Sequence, residues 1–150
     1  MVEVPPYTVL ASGDIELRQY APSAWFCVNV PLVTYDAAVR RGFELLFRFL
    51  QQNDFDMKAP VLVMPGRHGG FDVMFYAGSD AASDETAGVH MRRLPKVLVY
   101  VKSFGGFTTN KTLLSQLRHL PNGALWASAS YNSPFRLVGR HNEVWGFKDI

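Results

Sequence analysis

Residues 14–30, with the sequence DIELRQY-APS-AWFCVNV, hold two runs that are rich in β-branched and aromatic side chains. The runs cover 14–20 and 24–30, and the Ala-Pro-Ser segment separates them. Alternating runs of this length on either side of a short break are typical of strands. The stretch therefore predicts a hairpin or a bent pair of strands.

A helix and two more strands are predicted to follow this pair. Thr34 is a suitable N-cap for a helix over 35–52. Residues 59–64 and 71–77 predict strands on either side of a turn rich in glycine. The first half of the chain thus has the order strand, strand, helix, strand, strand.

The second half of the chain repeats this order. A short helix is predicted after a cap at Thr108 or Thr109, with strands on both sides of it over 89–93, 97–104, 125–131 and 143–148. Residues 78–88, between the halves, have no period that could pack, so we expect a loop there. Arg18 and Arg92 each lie shortly before the proline of a bend, as expected of an internal repeat.

The length of the chain, 150 residues, suits one domain with one core. Two units of this kind cannot bury their sheet faces separately. We therefore expect a single domain over residues 1–150, of the α+β class, in which the halves join into one curved sheet or open barrel flanked by two helices.

The composition excludes several classes of protein. With 48% hydrophobic and 19% charged residues, the chain is not intrinsically disordered. A net charge of +2 does not favour a polyanion, and the basic stretches at 91–96 and 136–141 lack interleaved aromatic residues, so we expect no nucleic acid partner.

Cys27 is the only cysteine, so no intrachain disulfide can form. Neither a secretory signal nor an apolar run of membrane length is visible, so we expect no membrane span and a cytoplasmic location.

The helix predicted over 35–52 has more apolar surface than docking on one sheet requires. Its apolar arc is about 200° wide, roughly twice the necessary width, and consists of Val39, Phe43, Leu45, Leu46, Phe47, Phe49 and Leu50. Arg40 lies at the edge of this arc, next to Phe47. An apolar wall with cations at its rim suits a flat hydrophobic ligand that carries carboxylates.

Simpler interpretations of this helix remain open. Glu44 lies four residues from both Arg40 and Arg48, so the three charges could form a solvated ladder. Phe43 and Phe47 could be an ordinary core pair, or the wide apolar face could be a contact between two copies of the chain.

Four segments resemble, in the same order, motifs of the SOUL haem-binding protein family. They are Ile15-Glu16-Leu17-Arg18-Gln19-Tyr20-Ala21-Pro22, Met57-Lys58-Ala59-Pro60-Val61, Phe104-Gly105-Gly106-Phe107, and the C-terminal pair Tyr131-Asn132-Ser133-Pro134-Phe135 and Gly139-Arg140-His141-Asn142-Glu143-Val144-Trp145. Each motif alone is modest, but together they span nearly the whole chain. The resemblance implies a distorted antiparallel β-barrel of two pseudo-symmetric halves, with one α-helix in each half.

The resemblance also implies a ligand and a site. It implies that haem or a related tetrapyrrole lies against the first helix, for a carrier, buffer or sensor. The basic residues near the propionates would be Arg40, Arg48 and Arg136, and the apolar wall would include Phe43, Phe47 and Leu50. Some members have a histidine, proposed as an iron ligand, where this chain has Gln19, so we expect haem without a strong protein axial ligand.

No motif for catalysis is present: there is no nucleophile elbow, Walker loop, dinucleotide fingerprint or His-Glu-x-x-His zinc motif. We therefore expect a binding protein and not an enzyme. Glu143, an acid within a predicted strand, is interpreted either as the acid of a pocket or as part of an ion pair at a strand edge. The alternative function is a protein-interaction module on the same barrel, with little or no tetrapyrrole binding.

Overall fold

Nine strands and two helices follow one another in the residues that the computed structural model describes, which are 3–31, 34–78, 88–121, 125–132 and 138–148. In chain order they are β1 (Tyr7–Ala11), β2 (Glu16–Tyr20), β3 (Ser23–Val30), α1 (Tyr35–Gln52), β4 (Val61–Pro65), β5 (Phe71–Tyr76), β6 (His90–Leu94), β7 (Val97–Phe104), α2 (Asn110–Leu117), β8 (Leu125–Ser130) and β9 (Asn142–Lys148). The predicted α+β class is confirmed. Most of the predicted loop, 79–87, lies outside the described residues.

All described strands belong to one antiparallel sheet with the order β1-β2-β7-β9-β8-β4-β5-β3-β6. Of the two interpretations of residues 14–30, the bent pair is correct, because β2 pairs with β7 whereas β3 pairs with β6. The segments β2–β3 and β6–β7 therefore run side by side as two bent strands, with Tyr20 opposite Val97 before the bend and Ser23 opposite Leu94 after it. This shared path curls the sheet into a distorted half-barrel.

The two halves of the sheet match residue for residue around these bends. Strands β2 and β6 each have five residues, and β3 and β7 each have eight. Arg18 is the third residue of β2 and pairs with Glu143, the second residue of β9. Arg92 is the third residue of β6 and pairs with Asp72, the second residue of β5. The predicted pseudo-symmetry thus extends to two equivalent ion pairs.

The two faces of the sheet carry different cores. One core packs β-strand side chains against both helices, and includes Phe26, Leu46, Phe75, Leu113 and Val144. The other core contains no helical residue and includes Trp25, Leu62, Met74, Trp145 and Phe147. Trp25 and Trp145 are only 1% and 2% exposed although no helix covers them. They are buried because the curl of the sheet encloses this second core.

Helix α1 begins and ends where the sequence predicts. The Oγ of Thr34 accepts a hydrogen bond from the backbone N–H of Ala37, which caps the helix. The buried side of α1 is centred on Gly42, and a Cβ added to Gly42 would overlap the side chain of Val73 on β5. The absence of a side chain at Gly42 therefore sets how closely α1 approaches the sheet.

Strand β1 was not predicted from the sequence. It pairs with β2 at the edge of the sheet, and all five of its residues are exposed. Because neither face of an exposed edge strand is buried, Tyr7-Thr8-Val9-Leu10-Ala11 shows no alternation of apolar and polar side chains. Among the described residues, no helix is long and apolar enough to cross a membrane.

We expect the substitution Gly42→Ala to lower the free energy of unfolding by about 1–3 kcal/mol, because the added methyl group must displace Val73 or α1. Urea unfolding followed by circular dichroism measures this change. The control is Gln52→Ala at an exposed position of the same helix, which should change stability by less than about 0.5 kcal/mol. Equal stability of the Gly42→Ala variant and the unchanged protein would contradict the close approach.

Candidate functional site

A cavity of about 860 Å³ lies along the side of α1 that the sheet does not cover. This volume is within the range of about 300–1,000 Å³ that is typical of small-molecule sites. We call this cavity the α1 cleft, and its lining residues are Asp36, Val39, Arg40, Phe43, Glu44, Phe47, Arg48, Gln51, Met57 and Thr108. Most of them come from α1, so the helix forms one long wall of the cleft.

The apolar part of this wall is built on two stacked phenylalanines. The rings of Phe43 and Phe47 are nearly parallel, with their centroids 5.8 Å apart and an interplanar angle of 9°. Phe43 is half-buried and meets Phe75 of β5 edge to face at 5.4 Å, whereas Phe47 is 40% exposed. The core therefore fixes the ring of Phe43, and the stacked ring of Phe47 presents a flat apolar surface to solvent.

The charges at the rim do not form the ladder considered for α1. Glu44 pairs with Arg41, with 3.4 Å between Oε2 and Nη1, on the exposed side of the helix. The Oδ1 of Asp36 accepts a hydrogen bond from the backbone N–H of Asn110 at the start of α2. Arg40 and Arg48 line the cleft and make no ion pair within the described part of the chain. The rim thus offers two cations to a ligand.

The structure brings together four of the six site residues named from the sequence: Arg40, Phe43, Phe47 and Arg48 all line the cleft. Leu50 is only 3% exposed and packs in the core between α1 and the sheet. Arg136 lies outside the described residues.

Val39, Met57 and Thr108 also line the cleft, and sequence reasoning did not assign them to the site. The sequence indicated Met57 only as the first residue of a family motif, and Thr108 only as one of two possible N-caps of the second helix. The cap of α2 is Thr109, whose Oγ accepts from the backbone N–H of Thr112. The position of Thr108 in the cleft depends on tertiary packing, which local sequence does not report.

A second cavity of about 160 Å³ adjoins the α1 cleft. We call it the side pocket. It shares Val39, Phe43 and Thr108 with the cleft, and its other lining residues are Tyr35, Val61, Val63, Phe107, Ser130, Asn132 and Arg140. The side pocket therefore continues the cleft toward β4 and β8.

Metal-binding groups are scarce around the cleft. Among the described residues, no cluster of three or more His, Cys, Asp or Glu side chains could hold a metal ion. The part of the cleft lining that the structure describes includes neither histidine nor cysteine, and its one sulfur atom is the thioether of Met57. The described residues thus supply a thioether, but no imidazole or thiolate, to a metal centre in the cleft.

Glu143 lies inside the curled sheet, away from both cavities. It is 2% exposed, and its carboxylate accepts two hydrogen bonds of 3.1 Å from the guanidinium of Arg18. Tyr131 Oη and Trp145 Nε1 each donate to it at 2.9 Å, and His141 Nε2 lies 2.9 Å from Oε2. The carboxylate is therefore part of an ion pair, as one of the two interpretations expected, but the pair is buried within the sheet and Glu143 lines neither cavity.

The pKa of Glu143 follows from this network. Burial raises it, but the hydrogen bonds from Trp145 and His141 and the charge of Arg18 outweigh burial, so the pKa lies below the usual carboxyl value. Burial lowers the pKa of Arg18, but the charge of Glu143 together with the interactions with Tyr20 and Glu16 outweighs burial and raises it. Both groups are therefore charged at neutral pH, and each stabilises the other.

The fold and the site together define a curled α+β sheet with a ligand-sized cleft beside its first helix. The sequence profile of the SOUL heme-binding protein family matches residues 2–146, and the chain belongs to this family. Two relatives are the proteins named Heme-binding protein 2 of Mus musculus and of Homo sapiens, at 30% and 31% identity. Each alignment covers 89% of this chain and 77% of the relative.

Solved structures with low sequence identity share the fold. The C-terminal domain of EcmrR matches with a TM-score of 0.63 at 9% identity, over 96% of this chain and 99% of that chain. SAV2435, in a structure bound to tetraphenylphosphonium, matches with a TM-score of 0.56 at 13% identity, over 91% of this chain and 95% of that chain. These similarities confirm the architecture alone.

We expect Glu143→Gln to lower the free energy of unfolding by up to about 3–5 kcal/mol at neutral pH, because the buried charge of Arg18 then keeps only the partly exposed carboxylate of Glu16 as an ionic partner. The matched control is Asp72→Asn in the equivalent pair, where Arg92 is 35% exposed and the cost should be at most about 1 kcal/mol. Urea unfolding measures both. Equal losses of stability in the two variants would contradict the claim that burial makes the Glu143 pair the more important one.

The same pair predicts an acid-dependent loss of stability. Because the folded-state pKa of Glu143 is lowered, its contribution is complete above the usual carboxyl pKa and is lost as the pH falls through the folded value. The stability difference between the unchanged protein and Glu143→Gln should therefore shrink between pH 7 and about pH 3. A constant difference over this range would contradict the assignment.

Proposed function

We propose that this chain binds haem or a related tetrapyrrole in the α1 cleft, as a carrier, buffer or sensor and not as an enzyme. Membership of the SOUL heme-binding protein family supports the ligand class. The names of the mouse and human relatives agree with it. The cytoplasmic location expected from the sequence stays a prediction.

The stacked pair of Phe43 and Phe47 is the observation that carries this proposal. Its flat surface leads from the core to a ring that is 40% exposed. Burying apolar surface stabilises a complex by roughly 25 cal/mol per Å², and aromatic rings in offset contact contribute about 0.5–1.5 kcal/mol more. A planar macrocycle laid along this surface would gain both contributions.

The rim charges favour a ligand with acid groups. Arg40 and Arg48 are eight residues apart, which corresponds to about 12 Å along the helix axis. They therefore lie at the two ends of the stretch of α1 that carries Phe43 and Phe47. A guanidinium pairs well with a carboxylate through parallel hydrogen bonds. Haem, with an apolar ring and two propionates, fits this combination of wall and rim.

The described residues of the cleft offer more contacts to the ring and the acid groups of haem than to its iron. When bound, haem would supply the redox and ligand-binding chemistry of its iron. The chain supplies the apolar wall, the cations and the exclusion of water on one side of the ring. Met57 is the described cleft residue whose side chain carries a soft donor atom, so we propose that binding depends mainly on the ring and its acids.

We expect the apo-protein to give a saturable Soret change on titration with haemin, and Arg40→Glu to weaken the affinity about tenfold or more, because a like charge would face the propionates. Arg41→Glu is the matched control: it makes the same charge change one residue away, at a position outside the cleft lining. Its affinity should equal that of the unchanged protein. Equal weakening by both variants would indicate an effect of net charge alone.

We also expect Phe47→Ala to weaken haemin about tenfold without loss of stability, because the ring is exposed in the apo-protein. Leu114→Ala, at an exposed apolar position of α2, is the control and should change neither property. No Soret change at micromolar haemin would contradict the proposal. If sedimentation then showed self-association or a protein partner that Phe47→Ala abolishes, the protein-interaction alternative would be favoured.

A further inference from the structure

The side pocket differs in chemistry from the cleft that it adjoins. Hydroxyl and amide groups line it, from Tyr35, Thr108, Ser130 and Asn132. Its volume of about 160 Å³ is below the size of about 300 Å³ at which small-molecule cavities usually begin. A macrocycle cannot enter it, but a short flexible arm can.

The side pocket contains a cation. Arg140 is the charged residue among the lining residues that the structure describes. The guanidinium carbon of Arg140 lies 4.3 Å from the ring centroid of Phe107, which also lines the pocket. The Oδ1 of Asn132 accepts a hydrogen bond from the backbone N–H of His141. This bond uses the oxygen of the Asn132 amide, and no hydrogen bond of its NH₂ group to another described residue is present.

Thr108 lies where the two cavities meet, because it lines both. Its Oγ is buried and has no hydrogen-bond partner among the residues that the structure describes. Leaving such a hydroxyl unsatisfied costs about 1–3 kcal/mol, and most buried polar atoms in proteins do have a partner. An acceptor that enters the side pocket from the cleft would satisfy it.

We propose that the side pocket receives a carboxylate arm of the ligand whose ring lies against Phe43 in the α1 cleft. Phe43 lines both cavities, so a ring in contact with it can extend one arm past Thr108 toward Arg140. The hydroxyl of Thr108, the guanidinium of Arg140 and the amide of Asn132 donate hydrogen bonds to the carboxylate. This inference depends on the proposed function, and it narrows the ligand class to porphyrins with free acid arms.

The test compares haemin with haemin dimethyl ester, whose arms carry no charge, in the unchanged protein and in Arg140→Gln and Thr108→Val. We expect Arg140→Gln to weaken haemin about tenfold and Thr108→Val to weaken it severalfold. Neither substitution should change the affinity for the ester. Arg93→Gln, at an exposed position of β6 outside both cavities, removes the same charge and should change neither affinity.

Each outcome decides one point. Suppose that haemin binds, and that Arg140→Gln lowers the affinities for haemin and for the ester equally or lowers neither. The side pocket then does not bind the carboxylate, and this inference is wrong. The proposed function would stand in that case. If neither haemin nor the ester binds the unchanged protein, the proposed function fails as well. Circular dichroism of each variant separates a loss of fold from a loss of contact.

Discussion

The close approach of α1 to β5 at Gly42 and Val73 determines where every other part of the site lies. Because Gly42 has no side chain, the helix settles on the sheet along a line that passes through it. That line buries Leu46 and Leu50 and leaves Phe47 exposed beside a half-buried Phe43. The cleft is thus a consequence of how the helix is rotated on its sheet, and the rotation depends on one glycine.

Local pattern predicted much of the fold and part of the site. Helix α1 was correct at both ends because its cap and its period are local signals, and the wide apolar arc correctly indicated that the sheet would not cover it all. The family resemblance assigned Leu50 to the ligand wall, whereas the packing of α1 on the sheet buries it in the core. The partnership of Arg18 with Glu143 and the position of Thr108 depend on residues that are distant in sequence. Strand β1 has no buried face and so gave no pattern.

The two faces of the sheet have different roles in this account. The enclosed face is filled by aromatic side chains and by the network around Glu143, in which Arg18 neutralises the carboxylate. The helical face carries the cleft and the side pocket, both with cations among their lining residues. A buried acid that is already paired has little to offer a new ligand, whereas Arg40 and Arg48 of the cleft make no ion pair with any described residue. This contrast supports the proposal of an anionic ligand on the helical face of the sheet.

The position of the ligand is the central claim, and nuclear magnetic resonance tests it most directly. Zinc protoporphyrin, a diamagnetic substitute for haem, would be added to isotopically labelled protein, and the backbone amide shifts would be compared before and after. Ring-current shifts should be largest from Val39 to Gln51 and around Thr108, and small in β2 and β9. Shifts concentrated on Arg18, Glu143 and Trp145 would place the ligand inside the curled sheet and contradict the account.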